Sequence, residues 1–272
     1  MQLVMLLLAS LWPVDGVARM RAVRHPGAIP TPQSVLWVAA HPDDEAVAAP
    51  LLAKWCLQER ARCGFLVLTR GESGACLRPD GCLPDVASVR SSEAGSASQL
   101  FRADSIHLRF PDGGGSAPPP WHFPREGPDI ISSVASHIEA FRPDLILTFD
   151  PRHGTTCHPD HRETGTIVLE SVKRLSFDPV LYFLETRIGI STDPLTIRLW
   201  SAAATAQRLD ATQFLPAMGA SAWDAIVHDM QRHRSQFDER WIAAIESVPH
   251  QERAVFIAPA EYVLQQQVQT CP

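Results

Sequence analysis

Short apolar runs alternate along the chain with longer segments in which apolar residues recur at helical spacing. The apolar runs span 34–40, 63–69, 105–110, 144–149 and 180–185. The segments with helical spacing span 45–60, 86–102, 130–141 and 158–175. A continuous apolar run is typical of a strand that is buried on both faces. We therefore predict an α/β fold, in which strands and helices alternate as βαβ units around a mainly parallel sheet.

The order of the strands decides which segments of the chain meet. Right-handed crossovers favour a doubly wound sheet, with helices on both faces. Ligands bind beyond the carboxyl ends of the strands in that architecture. In a 3-2-1-4-5 order the strands at 34–40 and 144–149 are neighbours. We therefore expect the polar segments that follow them, at 40–45 and 150–161, to lie side by side.

The rest of the pattern is less regular. Two long loops are predicted, at 71–85 and 111–128, and loops of this length in a compact domain are often binding loops. Beyond residue 190 the pattern weakens, although 221–245 is predicted to form one long helix. No domain boundary is evident, so residues 34–272 are predicted to form a single domain after an N-terminal extension at 1–33.

Composition narrows the classes of partner. Of the 272 residues 45% are hydrophobic, which is enough for a sizeable core. The formal net charge is -6 and the sequence pI is about 6.0. A nucleic-acid-binding surface needs a stripe of Lys and Arg, so this balance argues against one. It suits a protein that acts on neutral or weakly charged small molecules, and it leaves the oligomeric state undefined.

The N-terminus raises the question of export. Its first residues, MQLVMLLLASLWPV, are strongly apolar but too few for a membrane span, which takes about 20 residues. We predict a signal peptide with Gly16-Val17-Ala18 as the cleavage site, which places the mature protein in the periplasm or outside the cell. No Lys or Arg precedes the run and Pro13 interrupts it. The alternative is therefore that translation starts at Met20 and the protein is cytoplasmic.

Cysteine spacing bears on the same question. Cys56 and Cys63 flank a predicted helix-to-strand turn, and Cys76 and Cys82 close the short loop CLRPDGC. Two local disulfides are what an oxidising compartment allows, whereas a cytosolic protein would keep these residues as buried thiols. The sequence has no CxxC, which argues against a zinc site built from cysteines.

Two motifs carry the candidate chemistry, and each follows a predicted strand. AHPDDE occupies 40–45 and HPDH occupies 158–161. Taken alone, AHPDDE is explained as a capped helix start, and HPDH as a surface helix start with Pro at its first position. Three consecutive acidic residues repel one another, however, and capping accounts for only one or two of them. The two motifs together favour a functional site.

A divalent cation would offset this repulsion. His41 and Asp44 lie in one strand-end turn, and His158 and His161 lie on roughly one face of a helix start. Together they supply two or three imidazoles and at least one carboxylate, a set that suits a catalytic zinc ion with an open position. The ion would also depress the pKa of a coordinating carboxylate. Iron(II) is an alternative metal, because His and carboxylate ligands suit both.

The remaining polar residues of the motifs meet the needs of amide hydrolysis. Asp43 would take a proton from zinc-bound water, whose pKa the metal lowers from 15.7 to about 7. His158, where it is not a ligand, would donate a hydrogen bond to a developing oxyanion and then protonate the leaving amine. Asp160 would hold the His158 ring in the required tautomer.

With these motifs the sequence resembles the zinc-dependent deacetylases of the PIG-L/LmbE type. The resemblance extends to TRGESG at 69–74, PDGG at 111–114 and HRSQ at 233–236, and it spans about 34–241. It implies a Rossmann-like fold. It also implies the removal of acetyl groups from N-acetylglucosamine-type conjugates, which are small molecules.

The resemblance also implies a role for each residue of the two motifs. Three residues would bind zinc: His41, Asp44 and His161. Asp43 would be the general base, and His158 would stabilise the oxyanion, oriented by Asp160. Arg70 falls where some relatives contact their substrate; in the alternative it is a surface arginine that follows a strand.

One departure from the family pattern narrows the substrate. Relatives that act on thiol-linked sugars carry a tyrosine two positions before the first histidine of HPDH, and this chain has Thr156 there. That argues against a thiol-linked sugar.

Trp121 and Phe123 would stack on a sugar ring or pack their loop over the core. Two other functions remain open, namely a zinc amidohydrolase of non-sugar amides and a catalytically inactive sugar-binding relative.

Overall fold

The computed structural model describes residues 28–114, 129–266 and 271. The predicted signal peptide, its cleavage site and the alternative start at Met20 lie outside the described residues, as do Trp121 and Phe123. Within the described ranges, every helix is too short or too polar to cross a membrane.

Strands and helices alternate over most of the chain. The strands are β1 (Ser34–Ala39), β2 (Arg62–Thr69), β3 (Asp104–Phe110), β4 (Leu145–Phe149), β5 (Val180–Leu184), β6 (Thr186–Thr192), β7 (Leu195–Ser201), β8 (Gln207–Asp210), β9 (Phe214–Leu215), β10 (Ala220–Ser221) and β11 (Ala254–Pro259). The α-helices are α1 (Ala49–Leu52), α2 (Val86–Leu100), α3 (Ile130–Phe141), α4 (Gly154–Cys157), α5 (Pro159–Val172), α6 (Asp224–Met230), α7 (Glu239–Glu246) and α8 (Ala260–Val263). Short 3₁₀ turns occupy Asp44–Val47 and His250–Glu252, and a π-helical segment occupies Ala53–Gln58.

One sheet organises the molecule, with the strand order β3-β2-β1-β4-β5-β11-β8. Strands β1 to β5 are parallel, and β11 and β8 extend the sheet in antiparallel pairing. This confirms the mainly parallel α/β sheet and the predicted 3-2-1-4-5 order. The register pairs Val35 of β1 with Leu145 of β4. The two motifs that follow these strands therefore start from adjacent points on one edge.

The burial of β1 explains why its sequence contains no strongly polar position. All six of its residues are buried, and successive side chains point to opposite faces. Trp37 belongs to the hydrophobic cluster on one face of the sheet, whereas Leu36 and Val38 belong to the cluster on the other. Each large side chain buried in this way contributes roughly 1.5–3 kcal/mol to folding. Trp37 also packs edge-to-face on Phe149 of β4, with ring centroids 5.2 Å apart.

Side-chain hydrogen bonds fix the register of the central strands relative to one another. Thr69 Oγ1 donates to the carbonyl of Ala40, and Thr148 Oγ1 donates to the carbonyl of Val38, both at 2.9 Å. At the other end of β1, Asp144 Oδ2 accepts the backbone N–H of Ser34 at 3.1 Å. These buried bonds hold the carboxyl ends of β1, β2 and β4 at one level, where the motifs begin.

Two predicted helices are not single continuous α-helices. The predicted helix at 45–60 is a 3₁₀ turn, a short α-helix and a π-helical segment in succession. The predicted helix at 221–245 is two helices, α6 and α7, because polar residues between them bond to the interior. His233 contacts Glu45, and the backbone N–H of Ser235 donates to Glu93. The carboxylate of Asp238 then caps the start of α7.

The region after β5 contains a hairpin that the sequence pattern does not predict. Strands β6 and β7 pair antiparallel with each other as a separate two-stranded sheet. Alternation in this hairpin places Ile188, Ile190, Ile197 and Leu199 along one hollow, and these apolar residues lie beside the candidate site.

All six cysteines are paired in disulfides. The two local pairs, Cys56–Cys63 and Cys76–Cys82, agree with the pairing considered from the sequence. A third pair, Cys157–Cys271, joins residues 114 apart and was not predicted. It ties the segment just before HPDH to the C-terminal region of the chain.

The long-range disulfide should stabilise the fold more than a local one. In the chain-entropy account, a cross-link separated by 114 residues contributes about 5 kcal/mol and one separated by 6 residues about 2 kcal/mol. We expect the double variant Cys157→Ser/Cys271→Ser to lose clearly more unfolding free energy in urea titrations than the matched variant Cys76→Ser/Cys82→Ser. Equal losses in the two variants would contradict this account of the third disulfide.

Candidate functional site

The two motifs meet at the carboxyl edge of the sheet, as the sequence predicts. AHPDDE leaves β1, and HPDH opens α5 with Pro159 in its first turn. The ring centroids of His41 and His158 lie 4.9 Å apart, and those of His41 and His161 lie 5.4 Å apart. The His161 ring also stacks on Phe149, the last residue of β4, at 4.2 Å. Residues that are distant along the chain thus face one another across a gap suited to an ion.

Asp44 shapes the turn that presents His41. Its Oδ2 accepts hydrogen bonds from the backbone N–H groups of Ala40 and His41, at 2.9 and 2.8 Å. Its Oδ1 lies 2.9 Å from Nε2 of His161. One carboxylate therefore connects the end of β1 to α5. The preceding residue, Asp43, has a left-handed backbone with φ 97°, a conformation that Asp adopts more readily than most residues.

The tautomer of His161 is set by the backbone. Its Nδ1 lies 3.0 Å from the carbonyl oxygen of Gly154, which can only accept a hydrogen bond. The proton of the neutral ring is therefore on Nδ1, and the lone pair is on Nε2, the atom that faces Asp44. A metal-binding histidine ordinarily donates its second N–H to a carbonyl or carboxylate in this way.

His41 shows the same arrangement with carboxylates as acceptors. Its Nε2 lies 3.1 Å from Asp160 Oδ2 and 3.4 Å from Asp112 Oδ1, while its Nδ1 lies 3.6 Å from Asp44 Oδ2. When Nε2–H donates to these carboxylates, Nδ1 is left with the lone pair that a metal requires. Asp112, which the sequence did not single out as a site residue, belongs to the PDGG segment.

Asp160 contacts His158 through its backbone N–H rather than through its carboxylate. The Asp160 carboxylate instead contacts His41 and accepts the backbone N–H of Gly113 at 3.1 Å. His158 is the N-cap of α5, and a capping side chain accepts a backbone N–H from the first turn. Accordingly, the backbone N–H of Asp160 donates to His158 Nδ1 at 3.2 Å.

This contact fixes the protonation of His158. Burial lowers its pKa to about 4, and the nearby imidazoles of His161 and His41 act in the same direction. His158 is therefore neutral at pH 7. Because its Nδ1 accepts a hydrogen bond from Asp160, its proton is on Nε2. The ring is set up to donate an N–H rather than to release a proton as an imidazolium.

The donor set fits a divalent cation. Burial acts to lower the pKa of His41, yet the carboxylates of Asp44, Asp112 and Asp160 outweigh it and raise that pKa well above the ordinary value. The second oxygen of Asp160 is buried without a partner. The ligand atoms of His41, His158 and His161 all lie within 4.8 Å of one another. Asp44 contacts both His41 and His161, so Asp44 and His158 both lie where a third ligand would be needed, and the assignment of Asp44 stays a prediction.

Asp43 is held by a buried arginine that the sequence did not reveal. Arg90 on α2 is 4% exposed, and its Nη2 lies 3.0 Å from Asp43 Oδ2. The same guanidinium donates to the carbonyls of Pro42 and Gly71, at 2.6 and 2.8 Å. Burial raises the pKa of Asp43, and the positive charge of Arg90 opposes that rise.

Arg70, by contrast, is half-buried and does not line the hollows described below, so its substrate contact stays a prediction.

The third acid of AHPDDE has a structural partner. Glu45 Oε1 lies 2.8 Å from Nε2 of His233, the first residue of HRSQ, and both residues are buried. Burial acts to lower the pKa of His233, but Glu45 outweighs it and raises that pKa to about 9. Glu45 Oε2 in turn accepts the backbone N–H of Asp43 at 3.1 Å. The C-terminal HRSQ segment thus supports the turn that carries Asp43.

His153 lies five residues before His158 and supports the backbone that leads into HPDH. Its Nδ1 accepts the backbone N–H of Thr155 at 3.0 Å, so its proton is on Nε2. That atom lies 3.5 Å from Asp150 and 3.4 Å from Glu185. Burial lowers the pKa of His153 to about 4, which keeps the ring neutral. This cluster fixes the backbone of Gly154, whose carbonyl orients His161.

Two hollows border the motif residues, and Asp43, Asp44 and His161 line both. One hollow, of about 300 Å³, is polar, and its other lining residues are His41, Ser73, Gly74, Arg90, Asp112, Gly114, His158 and Gln236. The second hollow, of about 200 Å³, is mainly apolar, and its walls come from the β6–β7 hairpin, α6 and α7. A reacting group at the motif residues would border both a polar and an apolar hollow.

Removal of Arg90 should leave a larger fraction of the Asp43 carboxylate protonated, and therefore unable to accept a proton, near neutral pH. In Arg90→Gln the Asp43 carboxylate loses its positive neighbour, so its pKa rises. The acidic limb of the pH profile of kcat/KM should move to higher pH, and activity at neutral pH should fall by at least about tenfold. Arg78→Gln is the control, because Arg78 pairs with Asp80 on an outer loop. An unchanged profile in Arg90→Gln would show that Arg90 does not act on the base.

Gly113 should be required for metal affinity. A Cβ at this position would collide with Asp160 Oδ1. We expect Gly113→Ala to displace the Asp160 carboxylate from His41 and to weaken metal binding by about 10–100-fold, as is usual for loss of a group that orients a ligand. Chelator competition measures this affinity. Gly95→Ala is the control, since no atom lies within 4 Å of its added Cβ, and undiminished metal affinity in Gly113→Ala would contradict the role of Asp160.

Comparison with curated proteins gives relatives that are named as deacetylases or as an amidase. The chain is 26% identical over 166 residues to the 1D-myo-inositol 2-acetamido-2-deoxy-alpha-D-glucopyranoside deacetylase of Mycobacterium sp. (strain KMS), covering 55% of this chain and 53% of the relative. It is 32% identical over 173 residues to the mycothiol S-conjugate amidase of Streptomyces coelicolor, covering 59% and 58%. The chain thus spans about half the length of the curated relatives it matches.

The fold is shared with solved structures of deacetylases. N,N'-diacetylchitobiose deacetylase from Pyrococcus horikoshii superposes with a TM-score of 0.59 at 16% identity, covering 85% of this chain and 86% of that chain. At this identity the likeness concerns the fold alone. The family model described as "PIG-L: GlcNAc-PI de-N-acetylase" matches residues 36–172, half of the chain, and that range contains both motifs. The chain belongs to the PIG-L family.

Proposed function

We propose that the protein is a metal-dependent N-deacetylase that hydrolyses the acetamido group of an N-acetylglucosamine-type conjugate, with zinc as its metal. One observation carries the proposal. The end of β1 and the start of α5 bring His41, Asp44 and His161 together, with a half-buried acidic residue, Asp43, beside them. Amide hydrolysis needs a metal site, a base and an oxyanion donor at one place, and the motif residues supply each.

The residues around the predicted ligands support zinc. His161 donates its second N–H to a backbone carbonyl and His41 donates to carboxylates, which leaves one lone pair on each ring for a metal. Two imidazoles and a carboxylate are a usual ligand set for catalytic zinc. When bound, the ion would polarise the acyl oxygen and lower the pKa of a water molecule to about 7.

Asp43 would act as the general base. Its carboxylate is outside the predicted ligand set, and Arg90 and the contact with Glu45 fix its position. It would take a proton from the attacking water as the new C–O bond forms. It would then return that proton to the amine nitrogen as the C–N bond breaks, so the amide and water give a carboxylic acid and an amine.

His158 would stabilise the oxyanion. The backbone contact with Asp160 leaves its proton on Nε2, and its lowered pKa keeps the ring neutral. A neutral N–H donor can stabilise a developing negative charge without transferring its proton. The proton for the leaving amine is therefore assigned to Asp43, and His158 keeps the first of the two roles expected from the sequence.

The polar hollow supports a sugar as the amine component. Its walls carry the Asp112 carboxylate, the Arg90 guanidinium, the Ser73 hydroxyl and the Gln236 amide, which match the hydroxyl groups of a hexose. The curated relatives act on glucosamine derivatives according to their names. Both findings favour an amino-sugar conjugate over an amino acid amide.

Two variants separate the base from the metal ligands. Asp43→Asn should keep stoichiometric zinc while kcat falls by about 10²–10⁴-fold, because it removes the base and leaves the ligands in place. His161→Ala should lose the metal itself. Acetate release from N-acetylglucosamine derivatives, together with metal analysis of each purified variant, measures both effects.

The same assay distinguishes the alternatives. Full activity in Asp43→Asn would exclude it as the base, and stoichiometric zinc in His161→Ala would exclude it as a ligand. Release of acetate from N-acetyl amino acids alone would favour the amidohydrolase of non-sugar amides. Binding of N-acetyl sugars to zinc-loaded protein without any turnover would favour an inactive sugar-binding relative.

A further inference from the structure

The apolar hollow is larger and more hydrophobic than an acetyl group requires. We propose that it binds the acyl half of the substrate, and that the preferred substrate is an N-acyl amino sugar with an aliphatic acyl chain of about six to eight carbons. The inference rests on the proposed function, because it keeps the same hydrolysis of an N-acyl amino sugar, and it goes beyond that function by replacing acetate with a longer acid as the preferred product.

The position of the hollow assigns it to the acyl half. Asp43, Asp44 and His161 line both hollows, so an amide held at these residues would have access to both. An amide has its nitrogen on one side and its carbonyl carbon on the other. With the sugar nitrogen on the polar side, the acyl carbons extend into the apolar side.

The lining of the hollow matches a hydrocarbon chain. The hairpin contributes Ile188, Ile190, Ile197 and Leu199, and the two helices and the turn between them contribute Ile226, Met230, Phe237, Trp241 and Ile245. Polar groups are confined to the end at the catalytic residues, where Asp43, Asp44, Thr155, Thr156 and His161 lie. A sugar would leave its hydroxyl groups unsatisfied against these walls, at a cost for each unpaired group.

The size of the hollow sets the length of the chain. Its volume is about 200 Å³. A 150 Å³ apolar cavity accepts benzene, so this hollow has room for roughly six to eight carbons. An acetyl methyl would fill only a small part of it. Ile190, which is 44% exposed, would also be covered by a longer chain.

The reaction needs no additional reactant. Water adds its oxygen to the carbonyl carbon, the C–N bond breaks, and the proton passes from water through Asp43 to the amine. The products are a medium-chain carboxylate and a free amino sugar. The sole change from deacetylation is the acid, which leaves from the apolar side.

A series of N-acyl glucosamines tests the proposal. We would compare N-acetyl, N-butyryl, N-hexanoyl and N-octanoyl glucosamine with the zinc-loaded enzyme, measuring the free amine. Each buried methylene favours binding, so kcat/KM should rise at least about tenfold from acetyl to hexanoyl. An equal or lower value for hexanoyl would overturn the acyl pocket while leaving deacetylation intact.

Substitutions in the β6–β7 hairpin test whether the apolar hollow causes the preference for a longer acyl chain. Leu199→Trp should fill the hollow and lower the ratio of hexanoyl to acetyl kcat/KM at least about fivefold. Ile190→Ser is a second variant at a half-exposed position, where folding tolerates the change, and it should lower the ratio in the same direction. Arg198→Trp is the matched control, because residue 198 is exposed on the same strand and does not line the hollow. An unchanged ratio in both hollow variants would overturn the assignment.

A binding measurement separates this proposal from the proposed function. Octanoate should bind the zinc-loaded wild type at least about tenfold more tightly than acetate in calorimetric titrations, and Leu199→Trp should reduce this difference. If no N-acyl glucosamine is hydrolysed, the proposed function is wrong. The octanoate titration alone then tests whether the apolar hollow binds an acyl chain. Equal binding of octanoate and acetate would overturn it. The proposal would also be overturned if an octyl aglycone on N-acetylglucosamine raised kcat/KM and an N-hexanoyl group did not. The hollow would then hold the aglycone.

Discussion

Negative charge gathered at one edge of the sheet is the constraint on which the rest of the site depends. Asp43, Asp44, Asp112 and Asp160 come from three separate segments and converge around His41. Buried like charges are costly unless each is compensated. Arg90 compensates Asp43, and backbone N–H groups and imidazoles compensate part of the remaining charge. The unpartnered oxygen of Asp160 marks the charge that a divalent cation would balance.

The contacts that hold this edge come from the whole chain rather than from the two motifs alone. The ring of His41 depends on Asp160 and, through it, on the close approach of Gly113. The turn that carries Asp43 depends on Glu45 and His233, and His233 lies outside the range that matches the family model. The matched half therefore supplies the reacting groups, and the C-terminal part is needed to hold them in register.

Features of the fold that follow from local sequence patterns could be predicted. Features that depend on contacts between residues far apart in the chain could not. Buried parallel strands need continuous apolar runs, so the sheet order and the meeting of His41 with His161 could be predicted. Arg90 could not, because one arginine in a helical segment looks the same whether it faces solvent or a carboxylate. The break between α6 and α7 depends on contacts of His233 with a residue 188 positions away. The Cys157–Cys271 pair likewise joins residues that no local pattern connects.

The division between the two halves of the chain also bears on specificity. Residues that would act on the amide lie within 36–172, where the family model matches. About half of the residues that line the apolar hollow come from β6, β7, α6 and α7, which lie beyond that range. A wall that makes no contact with the reacting atoms can change its shape without altering the base or the metal ligands. The shape of this hollow can therefore vary independently of the motif residues, and in this chain the side chains from these four elements are aliphatic or aromatic, with the thioether of Met230.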